Sequence, residues 1–463
     1  MIDTLSLKKL ADRFGGHCLQ GDFTFSGVST DTRNIHPGAL FVALLGERFD
    51  AHDFLDNAIA KGAAGVVVNQ PVDISVPQWV VEDTTSALGH IACRAREDFS
   101  GALVAITGSS GKTTVKEMLQ AILRTASGEV SVFATKGNLN NHIGVPLSIL
   151  SLSKAHRYAV IEMGASAVGE IQYLSHMAKP NVAMVNNVMP AHVEGFGSLE
   201  NIATGKGEIY DGLSDDGVAV INIDDQFSPQ WLEKNQHRKV VTFSMVSESI
   251  ATVNANSIRC NELGYPTFSM AVSGEEVEVS LQILGQHNVA NALAAAACAY
   301  ALDISPSVIA KGLAEFVPVD GRLNTFVGFQ GATIIDDSYN ANPGSVKAAI
   351  DVLSDMNGLT VLVLGDMAEL GEYAEQEHRN LGEYARCQKI DVVMTLGELA
   401  GLAADSFGDH GMQFSDSEQL ISAARELADS QTFFLVKGSR SSRMDRIVDA
   451  LKKRGEHHAT LVS

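Results

Sequence analysis

The chain has 463 residues, too many for one hydrophobic core and enough for about three domains of roughly 100 to 200 residues each. Hydrophobic residues make up 45% and charged residues 19%, with only 11 prolines, a composition that excludes a disordered chain. The formal net charge of -21 argues against nucleic acid or an anionic membrane surface as partner, because the summed field repels both. Any anionic ligand must then be met by locally placed Lys, Arg, helix termini and metal. The cysteines (Cys18, Cys93, Cys260, Cys298, Cys387) are scattered, odd in number and without C-x-x-C spacing, so reduced thiols and a cytoplasmic setting are expected. The amphipathic start MIDTLSLKKLADRFGG does not read as a secretion signal, and no apolar stretch approaches the ~18 residues of a membrane span.

Residues 1–82 read as a small α/β unit, with helices over Leu5 to Phe14 and near His52 to Lys61, and strands in LFVALL, GVVV and WVVE. Ser29, Asp31 and Arg33 crowd a turn in SGVSTDTRNIHPG, a cluster open to two readings, turn chemistry or a binding site. A helix-like stretch from Thr84 to Phe99 then leads into the central unit, 83–312.

That unit begins with LVAITGSSGKTTVKEMLQAILRTAS at 103–127, read as strand, phosphate loop and helix. Gly108 and Gly111 let the backbone wrap an anion, Ser109, Ser110 and Thr114 complete the small-residue loop, Lys112 brings a positive charge, and the Thr113 hydroxyl can sit on Mg²⁺. Val115, Met118, Leu119, Ile122 and Leu123 recur at helical spacing, so the helix buries one face and aims its N-terminus at the phosphates. The usual Walker A glycine five places before Gly111 is Ile106 here, so the loop is the shorter Gly-x-x-Gly-Lys-Thr. Further strands at 159–166, 181–188 and 217–222 are continuously apolar, as in a parallel sheet covered on both faces. Ligands of such sheets sit beyond the carboxyl ends of the strands. Glu162 ends one strand, where a carboxylate can help hold a nucleotide-bound Mg²⁺, and His192 follows the next; the site reading is favoured for both over that of a solvated loop residue. Lys206, in SLENIATGKGEIY, taken alone passes for a surface lysine, and Asn288 and Asn291 open an Ala-rich helix where capping is the plain reading.

The third unit, 313–463, repeats strand and helix: TIID, VLVLGD, VVMTLG and FFLVKG, with helices from Pro343, Ala374, Leu399, Ser417 and Arg443. It is Rossmann-like but lacks G-x-G-x-x-G, so no dinucleotide is assigned. Its strand tips carry DDSYNANPGS, GDMAELGE and KGSRSSRMD, and Arg322, in VDGRLN, could reach back toward the nucleotide. The fold class is thus α/β in three domains: a small α/β unit, a central P-loop unit with a mostly parallel sheet, and a Rossmann-like C-terminal unit.

Over essentially its whole length the chain resembles the Mur ligases, ATP-dependent amide ligases of peptidoglycan precursor synthesis. The words that carry the resemblance are ITGSSGKTT, TKGNLNNHIGVPLSIL, VIEMGAS, AHVEGFGSLENIATGKGEIY, GQHNVANALAA, GRLN and DDSYNANPGS. Within the family, DDSYNANPGS and LGDMAELGE point to the branch that acts on UDP-N-acetylmuramoyl-tripeptide and D-alanyl-D-alanine. The branch adding the third residue would show D-Y-A-H-T-P and D-N-P-R, and folylpolyglutamate synthases D-G-A-H-N-P; Asp337 and Asn342 stand where these patterns differ.

The resemblance implies substrate binding in the N-terminal domain, ATP binding in the central one, and domain closure on the nucleotide. It implies that Gly108 to Thr114 cradle the ATP phosphates and that Thr113, Glu162 and His192 serve metal sites. Lys206 maps onto a lysine that other members carbamylate to hold a second Mg²⁺. Lys112, Glu162, His192 and Lys206 form the implied catalytic set. Asn291 would contact adenine, with Arg322 and Asp337 holding the nucleotide from the C-terminal domain. Ser29, Asp31 and Arg33 would lie where the uridine diphosphate binds, and Asn138, Asn140 and Asn141 along the muramoyl-peptide path. Lys437 to Arg440 could serve the dipeptide carboxylate or the nucleotide, or be a basic solvated loop. The implied enzyme is a monomer without membrane insertion. A sibling ligase adding the third residue, and a switch protein that only senses ATP, are the competing readings.

Overall fold

The computed structural model describes residues 3–46, 49–190, 193–246 and 250–452. Its centre is the strand Ala102–Thr107, whose side chains alternate between two cores. Val104 and Ile106 pack with Val115, Met118 and Leu119 of the helix Lys112–Ser127, while Leu103 and Ala105 face the helix Thr84–Glu97 and its neighbours. This two-sided burial is why the strand reads as an unbroken apolar run.

Around it runs a nine-stranded sheet, in the spatial order Glu275–Ser280, Pro266–Val272, Val253–Cys260, Lys239–Ser244, Val218–Asn222, Val182–Val185, Ala102–Thr107, Tyr158–Glu162 and Val132–Ala134. All pairings from Val132–Ala134 to Val253–Cys260 are parallel. Register brings the candidate residues together: Glu162 pairs with Ile106 and Val185 with Thr107, so three strands end at one level beside the loop that follows Thr107. Beyond Val253 the sheet turns antiparallel, an arm that the parallel pattern did not foreshadow. Its edge strand, Glu275–Ser280, exposes Glu275, Glu276 and Glu278.

The four strands expected in the third unit lie at the centre of a six-stranded sheet, ordered Asn324–Val327, Thr333–Asp337, Thr432–Lys437, Leu359–Gly365, Val392–Leu396 and Gly411–Phe414. Both outer strands escape a reading by apolar runs, because Asn324–Val327 alternates in burial and Gly411–Phe414 is only partly covered. Asp337 and Lys437 are register partners at the tips of neighbouring parallel strands. Toward the N-terminus, a five-stranded sheet orders His17–Leu19, Gln78–Val80, Gly65–Val68, Leu40–Val42 and Val28–Ser29. The first helix starts at Leu7 rather than Leu5, because Leu5–Ser6 pairs with Thr24–Phe25 and Ser6 caps the helix by accepting from the Lys9 N–H. All five cysteines are free. Among the described residues, no helix is long and apolar enough to cross a membrane.

Candidate active site

Two turns make the phosphate loop. Gly108 and Gly111 have φ of 155° and 78°, and a Cβ on Gly111 would fall 2.3 Å from Asn291 Oδ1 and 2.5 Å from Asn186 Nδ2, so only glycine fits there. Gly111 provides no side-chain cap to the helix Lys112–Ser127, whose first N–H groups are left for a ligand at the positive end of the helix dipole. Two of the loop's amides are already used: Ser109 N donates to Asn187 O at 2.9 Å and Ser110 N to Asn187 Oδ1 at 2.9 Å, while Ser109 Oγ donates to Met189 O. Lys112 Nζ folds back onto Gly108 O at 2.7 Å. Burial holds its ammonium below the usual lysine range, Glu162 opposing and Arg322 reinforcing the shift.

Beside the loop, Glu162 is 2% exposed and fully engaged. Its Oε2 accepts from Thr113 Oγ1 at 3.0 Å and its Oε1 from Asn140 Nδ2 at 2.8 Å, while its backbone N–H donates to Thr135 Oγ1. The Thr113 hydroxyl and the Glu162 carboxylate, two hard oxygen donors at the cleft, fit a magnesium ion, which favours such ligands. Among the described residues, no group of three His, Cys, Asp or Glu is placed to hold a metal. His192 lies outside the described residues. Lys206, expected as a surface lysine on its sequence alone, is instead 1% exposed, with Nζ 5.7 Å from the centre of the Phe196 ring. Burial, reinforced by the charge of Lys112, pushes its amine well below the usual range.

A cleft of about 630 Å³ opens between this wall and the C-terminal domain. The loop, Asn138, Asn140, Asn141 and Glu162 line one side, and Arg322, Tyr339 and Arg440 the other. Asn141 is also a turn residue, its Oδ1 accepting from Gly144 N at 2.9 Å. A smaller adjoining cavity, about 60 Å³, is lined by Gly111, Asn291, Arg322, Asp337, His287 and Lys437. The capping expected of Asn288 and Asn291 does not occur, because the helix His287–Ala301 begins before either residue and Gln286 occupies the cap position. Both amides are buried within it, Asn288 Nδ2 donating to Leu284 O and Asn291 Nδ2 to Asn288 Oδ1. Asn291 Oδ1 accepts from Asn186 Nδ2 at 3.0 Å, which ties the helix to the loop, since Asn186 also donates to Ser110 O.

Asp337 and Lys437 form a buried ion pair, and Lys437 Nζ also donates to Asn340 O at 3.0 Å. Arg322 reaches both cavities. Its guanidinium lies 4.4 Å from the centre of the Tyr339 ring, and its Nε is buried without a hydrogen-bond partner among the described residues.

Ser29, Asp31 and Arg33 are not among the residues lining either cavity. They close on themselves: Asp31 accepts from the Arg33 guanidinium and backbone N–H, and Ser29 Oγ donates to Asp31 O at 2.8 Å. The Arg33 contacts pull the Asp31 carboxyl down to about 2. Sequence reasoning overlooked Asn186, Asn187 and Tyr339. The two asparagines directly follow the strand Val182–Val185, so the strand-tip rule that singled out Glu162 would have found them.

Known proteins share this arrangement along nearly the whole chain. Residues 106–299 match the Mur ligase middle domain, 321–440 the Mur ligase glutamate ligase domain, and 24–96 the Mur ligase family catalytic domain. The UDP-N-acetylmuramoyl-tripeptide--D-alanyl-D-alanine ligase of Escherichia coli (strain K12) is 42% identical over 98% of this chain and 99% of its own length.

The chain belongs to the Mur ligase family.

The ligase of the same name from Bacillus subtilis (strain 168) is 36% identical over 92% of this chain and 93% of its own. Among solved Mur ligases, MurF from Acinetobacter baumannii superposes with a TM-score of 0.89 at 35% identity, covering 97% of this chain and 98% of that one. MurF from Thermotoga maritima, in complex with ADP, gives 0.81 at 30% identity over 92% and 96%. The ligase that acts with 2,6-diaminopimelate shares only the fold, at 17% identity and a TM-score of 0.57.

Proposed function

We propose that this Mur ligase joins D-alanyl-D-alanine to UDP-N-acetylmuramoyl-tripeptide, the substrates that its full-length relatives carry in their names, and that it couples the ligation to conversion of ATP to ADP and phosphate. The observation that carries the reading is the cleft itself: an uncapped helix N-terminus, Lys112 and the Thr113–Glu162 pair face Arg322 and Arg440 across a space large enough for more than nucleotide phosphates.

A carboxylate resists attack by an amine until one of its oxygens becomes a leaving group. The tripeptide carboxylate therefore attacks the γ-phosphorus of ATP, the bond to the β-phosphate oxygen breaks, and ADP leaves an acyl phosphate. The dipeptide amine, having lost a proton, then adds to the acyl carbon and inorganic phosphate departs. Lys112, Arg322 and the free N–H groups after Gly111 offset the repulsion between the two anions, on the order of 4 kcal/mol for unit charges 4 Å apart at an effective dielectric of 20. Mg²⁺ held through the Thr113 hydroxyl and Glu162 would add charge neutralisation at the phosphates. Asn140 and Thr135 keep Glu162 oriented for that role. Asn291, Asp337 and His287 surround the smaller cavity, which suits the nucleoside end of ATP.

The same reading gives Lys206 a use. Burial lowers the pKa of the Lys206 amine and so eases loss of its proton; the neutral amine is the form that adds to CO₂, and the carbamate formed would be an anion able to take a second Mg²⁺. Labelled bicarbonate should give a carbon-13 carbamate signal that is lost in Lys206→Ala. The Ser29, Asp31 and Arg33 turn is assigned to the uridine diphosphate, and the enzyme to the cytoplasm as a monomer.

Phosphate release tests the main reading. It should require ATP, UDP-N-acetylmuramoyl-tripeptide and D-alanyl-D-alanine together. Release only with the dipeptide precursor and diaminopimelate would move the enzyme to the preceding ligation, and release in neither mixture would refute the assignment.

A further inference from the structure

Residues 437–440, Lys-Gly-Ser-Arg, form one basic stretch in sequence, but the fold separates its two cations. Lys437 is buried at a strand tip, paired with Asp337 and facing the smaller cavity. Arg440, three residues on, is exposed and lines the large cleft but not the smaller cavity. Its backbone is pinned. Ser439 N and Oγ both donate to Asp366 O, at 3.0 and 2.6 Å, and Ser442 N donates to Ser439 O, which fixes the short turn Arg440–Ser442. Its side chain is steered as well, the guanidinium lying 5.3 Å from the centre of the same Tyr339 ring that carries Arg322.

Among the described residues, the cleft is lined by three Lys or Arg side chains. Lys112 is committed to the phosphate loop through Gly108. Arg322 also borders the smaller cavity, which gives it to the nucleotide. Arg440 alone borders only the space beyond the phosphates, and in a chain with 55 acidic residues against 34 basic ones it makes no ion pair with any described residue. A guanidinium that is held in place, unneutralised and turned into a substrate cleft matches a planar carboxylate, which it can grip with two parallel hydrogen bonds.

We infer that Arg440 binds the C-terminal carboxylate of the incoming dipeptide and thereby selects acceptors that end in a free acid. This rests on the ligation proposed above. The dipeptide amine must lie at the reacting carbonyl near the phosphate loop, and a two-residue chain extends about 7 Å from there. The carboxylate therefore has to be met from the opposite wall, where Arg440 stands, and Tyr339 positions the guanidinium for it.

The test compares D-alanyl-D-alanine with its C-terminal carboxamide, which keeps the amine and removes the charge. For the wild type, kcat/KM for the acid should exceed that for the amide by roughly 10- to 100-fold, the range of a charge-assisted hydrogen bond. In Arg440→Gln the acid should fall to the level of the amide, the amide should change less than about threefold, and KM for ATP should stay within about twofold. Arg440→Lys should keep part of the preference, which a merely structural role would not predict. A wild type that uses the amide as well as the acid, an Arg440→Gln that keeps the preference, or a rise in KM for ATP alone would overturn the assignment to Arg440. A wild type inactive with the acid itself would instead overturn the ligation reading, and this inference with it. If Arg440→Gln does not fold, the wild-type acid-to-amide ratio and the Arg440→Lys variant still decide.

Discussion

The two walls of the cleft are built on different principles. On the central-domain wall the polar side chains are hydrogen-bonded within the protein before any ligand arrives: Thr113 and Asn140 donate to Glu162, Asn186 donates to Asn291, and Asn187 accepts from the Ser110 backbone N–H. On the C-terminal wall, cations meet the cleft directly, with Arg322 and Arg440 resting on one tyrosine and Lys437 held behind them by Asp337. The first wall is preorganised and its geometry costs little to assume at the moment of reaction; the second supplies charge that substrates must complete. Loss of a charged side chain should therefore act on kcat in the first wall and on substrate affinity in the second, whereas a backbone clash within the phosphate loop should weaken nucleotide binding itself.

The largest effect is expected where the second wall is buried. Lys437→Met leaves the Asp337 carboxylate without its partner, which should cost about 3–5 kcal/mol of stability in urea titrations and weaken ATP binding. Lys437→Met combined with Asp337→Leu should regain much of the stability but not the affinity; equal stability of single and double variants would mean that the pair contributes nothing. Next comes Glu162→Gln, which keeps the shape and the contact with Thr113 but removes the charge. It should lower kcat by about 10²–10³-fold with dipeptide KM little changed, and a change confined to KM would erase the distinction between the walls. Gly111→Ala places a methyl group against Asn291 and Asn186 at positive φ, and calorimetry should show ATP binding weakened by about 1–3 kcal/mol, with little effect on dipeptide recognition.

The smallest effect concerns pH. His378 is fully buried, its Nδ1 facing Ala374 O at 2.6 Å and its Nε2 accepting from Met367 N at 3.0 Å, so the ring is neutral and its pKa is lowered by burial. The unfolded chain then binds more protons than the folded one below pH ~6.5, and stability should fall as pH drops from there through the folded-state pKa. His378→Gln should be less stable at pH 7 but show a shallower decline toward pH 5. A parallel decline would remove the histidine as the cause. Since Ala368, Glu369 and Leu370 line the cleft, the same acidification should loosen the second wall before the first.

Much of the first wall was legible in the sequence because one local rule produces it. An apolar run that ends in a small-residue loop and passes into a helical pattern fixes strand, turn and helix together, and Glu162 follows from the same strand-tip logic. The second wall was harder to see. Arg322, Tyr339 and Arg440 are more than a hundred residues apart at their extremes, and only the six-stranded sheet, which sets Thr333–Asp337 beside Thr432–Lys437, brings them together. The burial of Lys206 was equally invisible, since no local pattern in SLENIATGKGEIY distinguishes a covered lysine from an exposed one. The Ser29, Asp31 and Arg33 cluster shows the converse: a polar group dense in sequence satisfies itself as a turn and leaves its contribution to binding a matter for direct test.

The antiparallel arm of the large sheet bears on how the protein behaves in concentrated solution. A sheet ending in an open strand offers its backbone to any other open strand, including that of a second copy. Here the last strand exposes Glu275, Glu276 and Glu278, so two molecules approaching edge to edge would bring rows of like charge together before their backbones could pair. That rim of carboxylates, with Glu278 shared by Arg259, would act against edge-to-edge pairing, and screening by salt should weaken it.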